Sequence, residues 1–334
     1  MQYDAILWLS FGGPEKEEDV IPFLENVLRG RNVPRERMLA VAEHYYHFGG
    51  KSPINQQNRE MIRALEAELT AHGPDLPIYW GNRNWHPLLT DTVAKMKADG
   101  VRRALAFATA AYSSYSSCRQ YLENIENARA AVGEGAPVID KIRPFYNHPD
   151  YIAAMGEQAL EALEQIPGAR RGAAHIVYTA HSIPLRMAEN CQYERQLLEA
   201  SRLVSVALGR SGDPLVYQSR SGPPTQPWLG PDILEHLRAV GASGQVKDVA
   251  IVPIGFVSDH IEVRYDLDTE ARQLCEELGL NMVRAAAVGA NPGFAQLIRE
   301  LIVERIEENS DRPSLGTLGP WPDVCHAGCC LPRS

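Results

Sequence analysis

The chain has 334 residues, 45% hydrophobic and 22% charged, enough to bury a large core without disulfide or metal staples. Its 33 basic and 42 acidic residues leave a net charge of −9, which argues against nucleic acid as a partner and does not favour anionic membranes. No apolar stretch approaches the roughly 18–20 residues of a membrane-spanning helix, and the N-terminus runs into a strand without a basic region or cleavage site, so a cytoplasmic location is expected.

Residues 5–10 form an apolar strand, followed by Phe11-Gly12-Gly13-Pro14 and an acidic helix start at Glu15, the opening of a parallel α/β unit. Gly12-Gly13 lacks the spacing of a dinucleotide fingerprint. Residues 19–28 put apolar side chains on one helical face, either a packed helix or a lip over a pocket. Residues 43–53 read as a loop of aromatic and hydrogen-bonding groups, and Asn55 to Leu69 as an amphipathic helix. A strand at 77–80, a helix at 88–97 and a strand at 104–108 follow. The last of these opens into a loop of Tyr, Ser and Arg from Thr109 to Tyr121, as a site for a flat, partly anionic ligand would. A short strand at 138–139 and a helix from His148 to about Ile166 close the first half.

The alternation then repeats, with strands at 174–179, 214–218, 248–254 and 280–285 and helices at 192–209, 231–240, 259–278 and 293–308. Two doubly wound α/β domains with a cleft between them are expected. They span residues 1–145 and 146–290; a helix at 291–310 returns to the first domain, and a cysteine-containing tail covers 311–334.

Two polar elbows carry the candidate chemistry. His181 stands at the carboxyl end of the strand stopped by Pro184, the sheet edge where α/β proteins bind ligands. A lone histidine there is either structural or able to take protons and bind a metal. The second elbow, Ser258-Asp259-His260-Ile261-Glu262, starts a helix on which Asp259, Glu262, Asp266 and Glu270 fall at i, i+3, i+7 and i+11. This row is either a solvated surface or a path for a cation, with Glu262 expected to face His181 across the cleft. An imidazole with a carboxylate suits Fe(II), and both groups accept protons. In the stiff loop from Tyr217 to Pro231, Trp228 is either a core residue or a wall for a flat ligand. Cys118, Cys191 and Cys275 are dispersed, the last two reading as helix residues, whereas Cys325, Cys329 and Cys330 crowd the C-terminus. Clustered thiols in a cytosolic chain favour a metal over a disulfide. No Gly-x-Ser-x-Gly elbow supports a hydrolase.

These residues carry a resemblance. Ser-Phe-Gly-Gly-Pro at 10–14, Gly-Gly-Lys-Ser-Pro-Ile at 49–54, Thr-Ala-His-Ser-Ile-Pro at 179–184, Tyr-Gln-Ser-Arg-Ser-Gly-Pro at 217–223 and Ser-Asp-His-Ile-Glu at 258–262 occur in the order and spacing of the ferrochelatases. The match covers nearly the whole chain and is similar to bacterial, actinobacterial forms, through Pro-Phe-Leu-Glu-Asn-Val at 22–27 and Tyr-Trp-Gly-Asn-Arg-Asn-Trp at 79–85. The resemblance implies the chelatase fold of two Rossmann-like domains around a porphyrin, and a lyase that inserts Fe2+ in haem biosynthesis. His181 and Glu262 match the family's active-site pair. Asp259, His260 and Asp266 match its acidic helix, which a π-bulge often widens. Ser52 and Tyr121 match porphyrin contacts, and Phe11 stands where some relatives place a Tyr or Met over the metal. The three C-terminal cysteines with Cys118 resemble the ligands of a 2Fe-2S cluster, with a structural zinc and free thiols as alternatives.

Metallation removes two pyrrole protons while Fe(II) sheds water. Bending the macrocycle by roughly 1–5 kcal/mol of strain exposes its lone pairs, and a positioned base such as His181 adds on the order of 10² to 10⁴ in rate. Coproporphyrin III is expected ahead of protoporphyrin IX, because the lip between Asp19 and Ser52 is short and the loops are polar. The apolar face at 20–28 allows peripheral membrane contact. The rivals are a cobalt or nickel chelatase of another tetrapyrrole and a non-catalytic haem or iron-sulfur protein.

Overall fold

The computed structural model describes residues 2–30, 33–223, 225–308 and 311–331. It contains two four-stranded parallel sheets, each within its own compact unit. The first unit comprises Met1–Thr109, Gln120–Arg143 and Ile298–Asp311, and the second Ala110–Arg119, Pro144–Leu297 and Arg312–Ser334.

In the first unit β1 (Ala5–Ser10), β2 (Ile78–Asn82), β3 (Arg103–Ala108) and β4 (Val138–Lys141) lie in the order β2-β1-β3-β4. Every residue of β1 is buried, as expected of a parallel strand covered on both faces. Its end is fixed by a buried amide network: Trp8 Nε1 donates to Asn58 Oδ1 at 2.7 Å, and Asn58 Nδ2 donates to Ser10 Oγ at 3.0 Å. Asn84 Nδ2 donates to the Phe11 carbonyl at 3.3 Å, holding the turn that follows the strand. Arg143, fully buried, pairs bidentately with Glu304 at 2.8 and 2.9 Å and so secures the end of the helix Pro292–Glu307 within this unit.

Residues 35–47 form a helix where a loop was expected over 43–53. Its inward face is Met38, Ala42 and Tyr45, a helical spacing masked by the run of His and Tyr around it. A further helix, Gln120–Val132, grows out of the expected Tyr/Ser/Arg loop and buries Tyr121, Ile125 and Ala128.

The second unit repeats the same strand order with β5 (His175–His181), β6 (Leu215–Gln218), β7 (Asp248–Val252) and β8 (Asn281–Arg284), as β6-β5-β7-β8. The registers Tyr178↔Leu215, His175↔Val249 and Asp248↔Asn281 bring the carboxyl ends of all four strands to one edge. The segment expected as one α-helix over 259–278 begins with a short α-turn, Ile261–Val263. It widens to a π-helix over Arg264–Ala271 and returns to α over Arg272–Glu277. Val263, Leu267 and Ala271 on this element are fully buried in the core with Val177, Val216 and Ile251. Glu262, Asp266 and Glu270 each precede one of them and form a row along the rim of that core. No helix among the described residues is long and apolar enough to cross a membrane.

Candidate active site

The site is built where the carboxyl ends of β5 and β7 meet. His181 is the last residue of β5, opposite Gln218 of β6. After β7 the chain folds back over the end of β5, where Gly255 N–H donates to the Thr179 carbonyl at 3.1 Å. A Cβ at Gly255 would lie 2.6 Å from Ala180 Cβ, so only glycine permits this approach. The phenols of Tyr112 and Tyr151 both donate to the Ile254 carbonyl, at 2.9 and 3.0 Å, and fix the same crossing. The chain leaves it with His260 and Glu262 beside His181.

His181 Nε2 lies 3.8 Å and His260 Nδ1 3.9 Å from Glu262 carboxylate oxygen. All three residues belong to the second unit, so the expectation that His181 and Glu262 approach from opposite sides of a cleft is corrected. In His181 the other nitrogen, Nδ1, meets the Ser182 carbonyl, which only accepts. In the neutral ring the hydrogen therefore sits on Nδ1, and the Nε2 lone pair faces Glu262. A lone pair opposite a carboxylate at this separation is completed by a proton or a cation: two donors at about 2.1 Å from one metal ion stand up to about 4.2 Å apart. Glu262 is half exposed and open to such a guest. His260 packs edge-on against Phe256, with ring centroids 5.2 Å apart. Burial pushes its pKa below the ordinary imidazole value, an effect that the nearby Glu262 and Asp259 oppose.

The remaining acidic residues divide. Asp266 accepts from Ser219 Oγ and, at 3.2 Å, from Gln218 Nε2, which tie the π-helix to the end of β6. Burial raises its carboxyl to about 7, with Glu262 and Glu270 adding to the rise against the hydrogen bond from Ser219. It thus titrates near neutrality. Asp259 instead accepts from Arg284 at 2.9 Å, ahead of the helix and apart from the row of Glu262, Asp266 and Glu270.

The expected porphyrin contacts fall in both units. In the first unit the Arg83 guanidinium lies over the rings of Tyr121, at 4.8 Å, and Phe11, at 5.4 Å. Arg83 was not singled out from the sequence; its place directly after a strand was the available signal. Ser52 is buried, its N–H donating to the Pro14 carbonyl at 2.9 Å. In the second unit Trp228 bridges to Pro184, and its indole covers Gly222, where a Cβ would come within 2.3 Å of Nε1. Pro224, in the same loop, lies outside the described residues.

Cys118, Cys191, Cys329 and Cys330 lie together, separately from these groups and within the second unit. Cys118 is buried in the π-turn Tyr115–Arg119, and Cys329 Sγ lies 3.5 Å from Cys330 Sγ. Arg119 donates to the Ala327 carbonyl at 2.9 Å, and Asn190 to that of Leu331. Burial, then Cys329, Cys118 and Cys191, push the Cys330 thiol up. Cys191, expected in a helix, lies in a bend before Tyr193–Ala207 and beside this group, whereas Cys275 is a buried helix residue.

Two four-stranded parallel sheets of one strand order, flanked by helices, make this a chelatase fold. The sirohydrochlorin chelatase SirB from Bacillus subtilis shares it, with a TM-score of 0.57 at 10% identity over 92% of this chain and 98% of that one. Its form from the subspecies spizizenii, in complex with cobalt, superposes with a TM-score of 0.54 at 12% identity over 94% and 99%. The ferrochelatase family profile matches residues 3–306. A ferrochelatase of Rhodopirellula baltica is 56% identical over 98% of this chain and 93% of its own length. A coproporphyrin III ferrochelatase of Streptomyces coelicolor is 49% identical over 99% and 94%. The chain belongs to the ferrochelatase family, the enzymes that insert ferrous iron into a porphyrin in haem synthesis.

Proposed function

We propose that this lyase metallates coproporphyrin III in preference to protoporphyrin IX, with His181, His260 and Glu262 as its reacting groups. The convergence of two imidazoles on one carboxylate, at 3.8 and 3.9 Å, carries the residue assignment. His181 takes a pyrrole proton on its free Nε2 or passes the iron; Glu262 contacts the incoming Fe(II). Asp266, ionised or protonated near pH 7, relays protons or iron away from or toward Glu262 along the acidic row. Asp259 and His260 frame the start of that row. Phe11, Ser52 and Tyr121 in the first unit and Trp228 in the second supply porphyrin contacts, with Arg83 as an added cation for a propionate. The preference for coproporphyrin is supported by relatives that carry that substrate in their names, such as the Streptomyces coelicolor protein and its Nocardia farcinica counterpart at 49% identity.

The C-terminal thiols suit a 2Fe-2S cluster. Burial and the neighbouring Cys329, Cys118 and Cys191 push the Cys330 thiol up, and a ferric cluster would supply the positive charge that lets it ionise. Cys118, Cys325, Cys329 and Cys330 are the proposed ligands, and the cluster would act as a structural or regulatory centre, since metallation transfers no electron. Zinc is the second reading. A cytoplasmic location accords with the absence of a spanning helix among the described residues.

The test is anaerobic metallation of both porphyrins by Fe(II), followed by absorbance. Faster turnover of coproporphyrin III supports the proposal; faster turnover of protoporphyrin IX reverses the preference, and metallation of neither removes the function. Cobalt and nickel offered in parallel separate the reading from other tetrapyrrole chelatases.

A further inference from the structure

Arg284, the last residue of β8, is assigned no task by the reaction described above, yet it makes the densest set of ionic contacts around the site. Its Nε and Nη2 donate to the two oxygens of Asp268 at 2.6 and 2.9 Å, and its Nη1 donates to Asp259 Oδ1 at 2.9 Å and to the Ala285 carbonyl at 2.9 Å. The three side chains are only 13–24% exposed, so these bonds are weakly screened. The two carboxylates bracket the reacting residues in sequence. Asp259 immediately precedes His260, and Asp268 lies inside the π-helix that follows Glu262.

We infer that Arg284 is a positioning residue that locks the π-helical register of residues 264–271 and thereby sets where Glu262 and His260 stand against His181. The inference rests on the reading of those three residues as the metallation site. A π-segment bonds i to i+5, and its relaxation to the commoner i to i+4 ladder would rotate one end of the element about its axis. Asp259 and Asp268, tied to one guanidinium at the fixed end of a strand, prevent that rotation from both sides. Only arginine does this: its planar fork serves one carboxylate bidentately and still reaches a second, whereas lysine presents a point charge.

The experiment compares full-length wild type with Arg284→Lys, Arg284→Met and Asp259→Asn by amide hydrogen exchange and by steady-state metallation. In Arg284→Lys, exchange is expected to speed up in peptides covering 260–271 and to stay unchanged in those covering β1–β4. The KM for Fe(II) is expected to rise, or kcat to fall, by about 10- to 100-fold, with the KM for porphyrin within about twofold. If Arg284→Met fails to fold, Asp259→Asn, which loses one arm of the clamp, carries the same expectation at smaller amplitude. Unchanged exchange across 260–271 overturns the inference, as does a loss of activity that merely follows the folded fraction. Should wild type fail to metallate any porphyrin, the proposed function falls, and the exchange measurement still decides whether Arg284 holds the π-register.

Discussion

At the scale of single residues, the site turns on where protons sit. With Nδ1 of His181 directed at the Ser182 carbonyl, Nε2 is the nitrogen left for the proposed reaction, so His181→Ala is expected to lower metallation by at least about 100-fold. Porphyrin binding, measured by fluorescence quenching, should stay near wild type; loss of both together would make His181 a folding residue. Asp266 makes a second residue-scale prediction. Its folded-state pKa of about 7 exceeds the unfolded value near 3.9, so the folded chain binds the extra proton and stability falls as pH rises between the two. Asp266→Asn keeps an acceptor for Ser219 and removes the penalty. At about 1.36 kcal/mol per pKa unit, discounted for partial solvent access, the variant should be about 1–3 kcal/mol more stable than wild type at pH 8. By pH 4 the difference should disappear in urea titrations. No pH dependence in the difference would mean that Asp266 is ionised at neutrality.

Elements show how much could be read from sequence and where reading stopped. All eight strands announced themselves as short apolar or β-branched runs, and the elbow at His181 followed from Pro184. The helices at 35–47 and 120–132 did not. Their buried positions have helical spacing, but His44, Tyr45, Tyr46 and His47 in one, and the serine-rich approach to Tyr121 in the other, carried the signature of a ligand loop. The π-helix is held by tertiary bonds to Asp266 from Ser219 and Gln218, 47 and 48 positions away, and to Asp268 from Arg284, 16 positions away, so periodicity could suggest an acidic row but not its geometry. The sequence also put Asp259 in that row, where its pairing with Arg284 could not be foreseen. Buried pairs at this scale have measurable weight. Arg143→Ala would strand Glu304 inside the first unit and should cost roughly 3–5 kcal/mol; a cost under about 1 kcal/mol would show that water reaches the carboxylate. His175 and His236 join β5 to the helix Ile233–Ser243 through ring nitrogens 2.9 Å apart. Burial lowers both pKa values; at His175, Asp213 opposes and Arg210 reinforces this shift, and at His236 the neighbouring His175 reinforces it. The unfolded imidazoles therefore protonate first as pH falls below about 6.5, and the pair's contribution fades with acidification. His236→Phe should cost about 0.5–1.5 kcal/mol at pH 8 and less at pH 5.

For the whole molecule, the same strand order in both units gives two sheet edges of one design, and the second carries the proposed acid, base and metal-binding groups. Its family and fold were legible because five motifs stand in order along nearly the whole chain. The thiol site was legible only in part: the tail cysteines were evident, whereas Cys191 joined them through the folded path of Asn190 and Leu331. An absorption spectrum with iron analysis tests the cluster: visible bands and about two irons per chain are expected, and a colourless, iron-free or zinc-loaded protein counts against it. The central claim is tested most directly by anaerobic Fe(II) insertion into coproporphyrin III by wild type and by Glu262→Gln, which retains size and polarity but loses the charge between His181 and His260. The account predicts metallation by wild type and a fall of about 100-fold or more in the variant, with porphyrin still bound. Equal rates in the two proteins would contradict it.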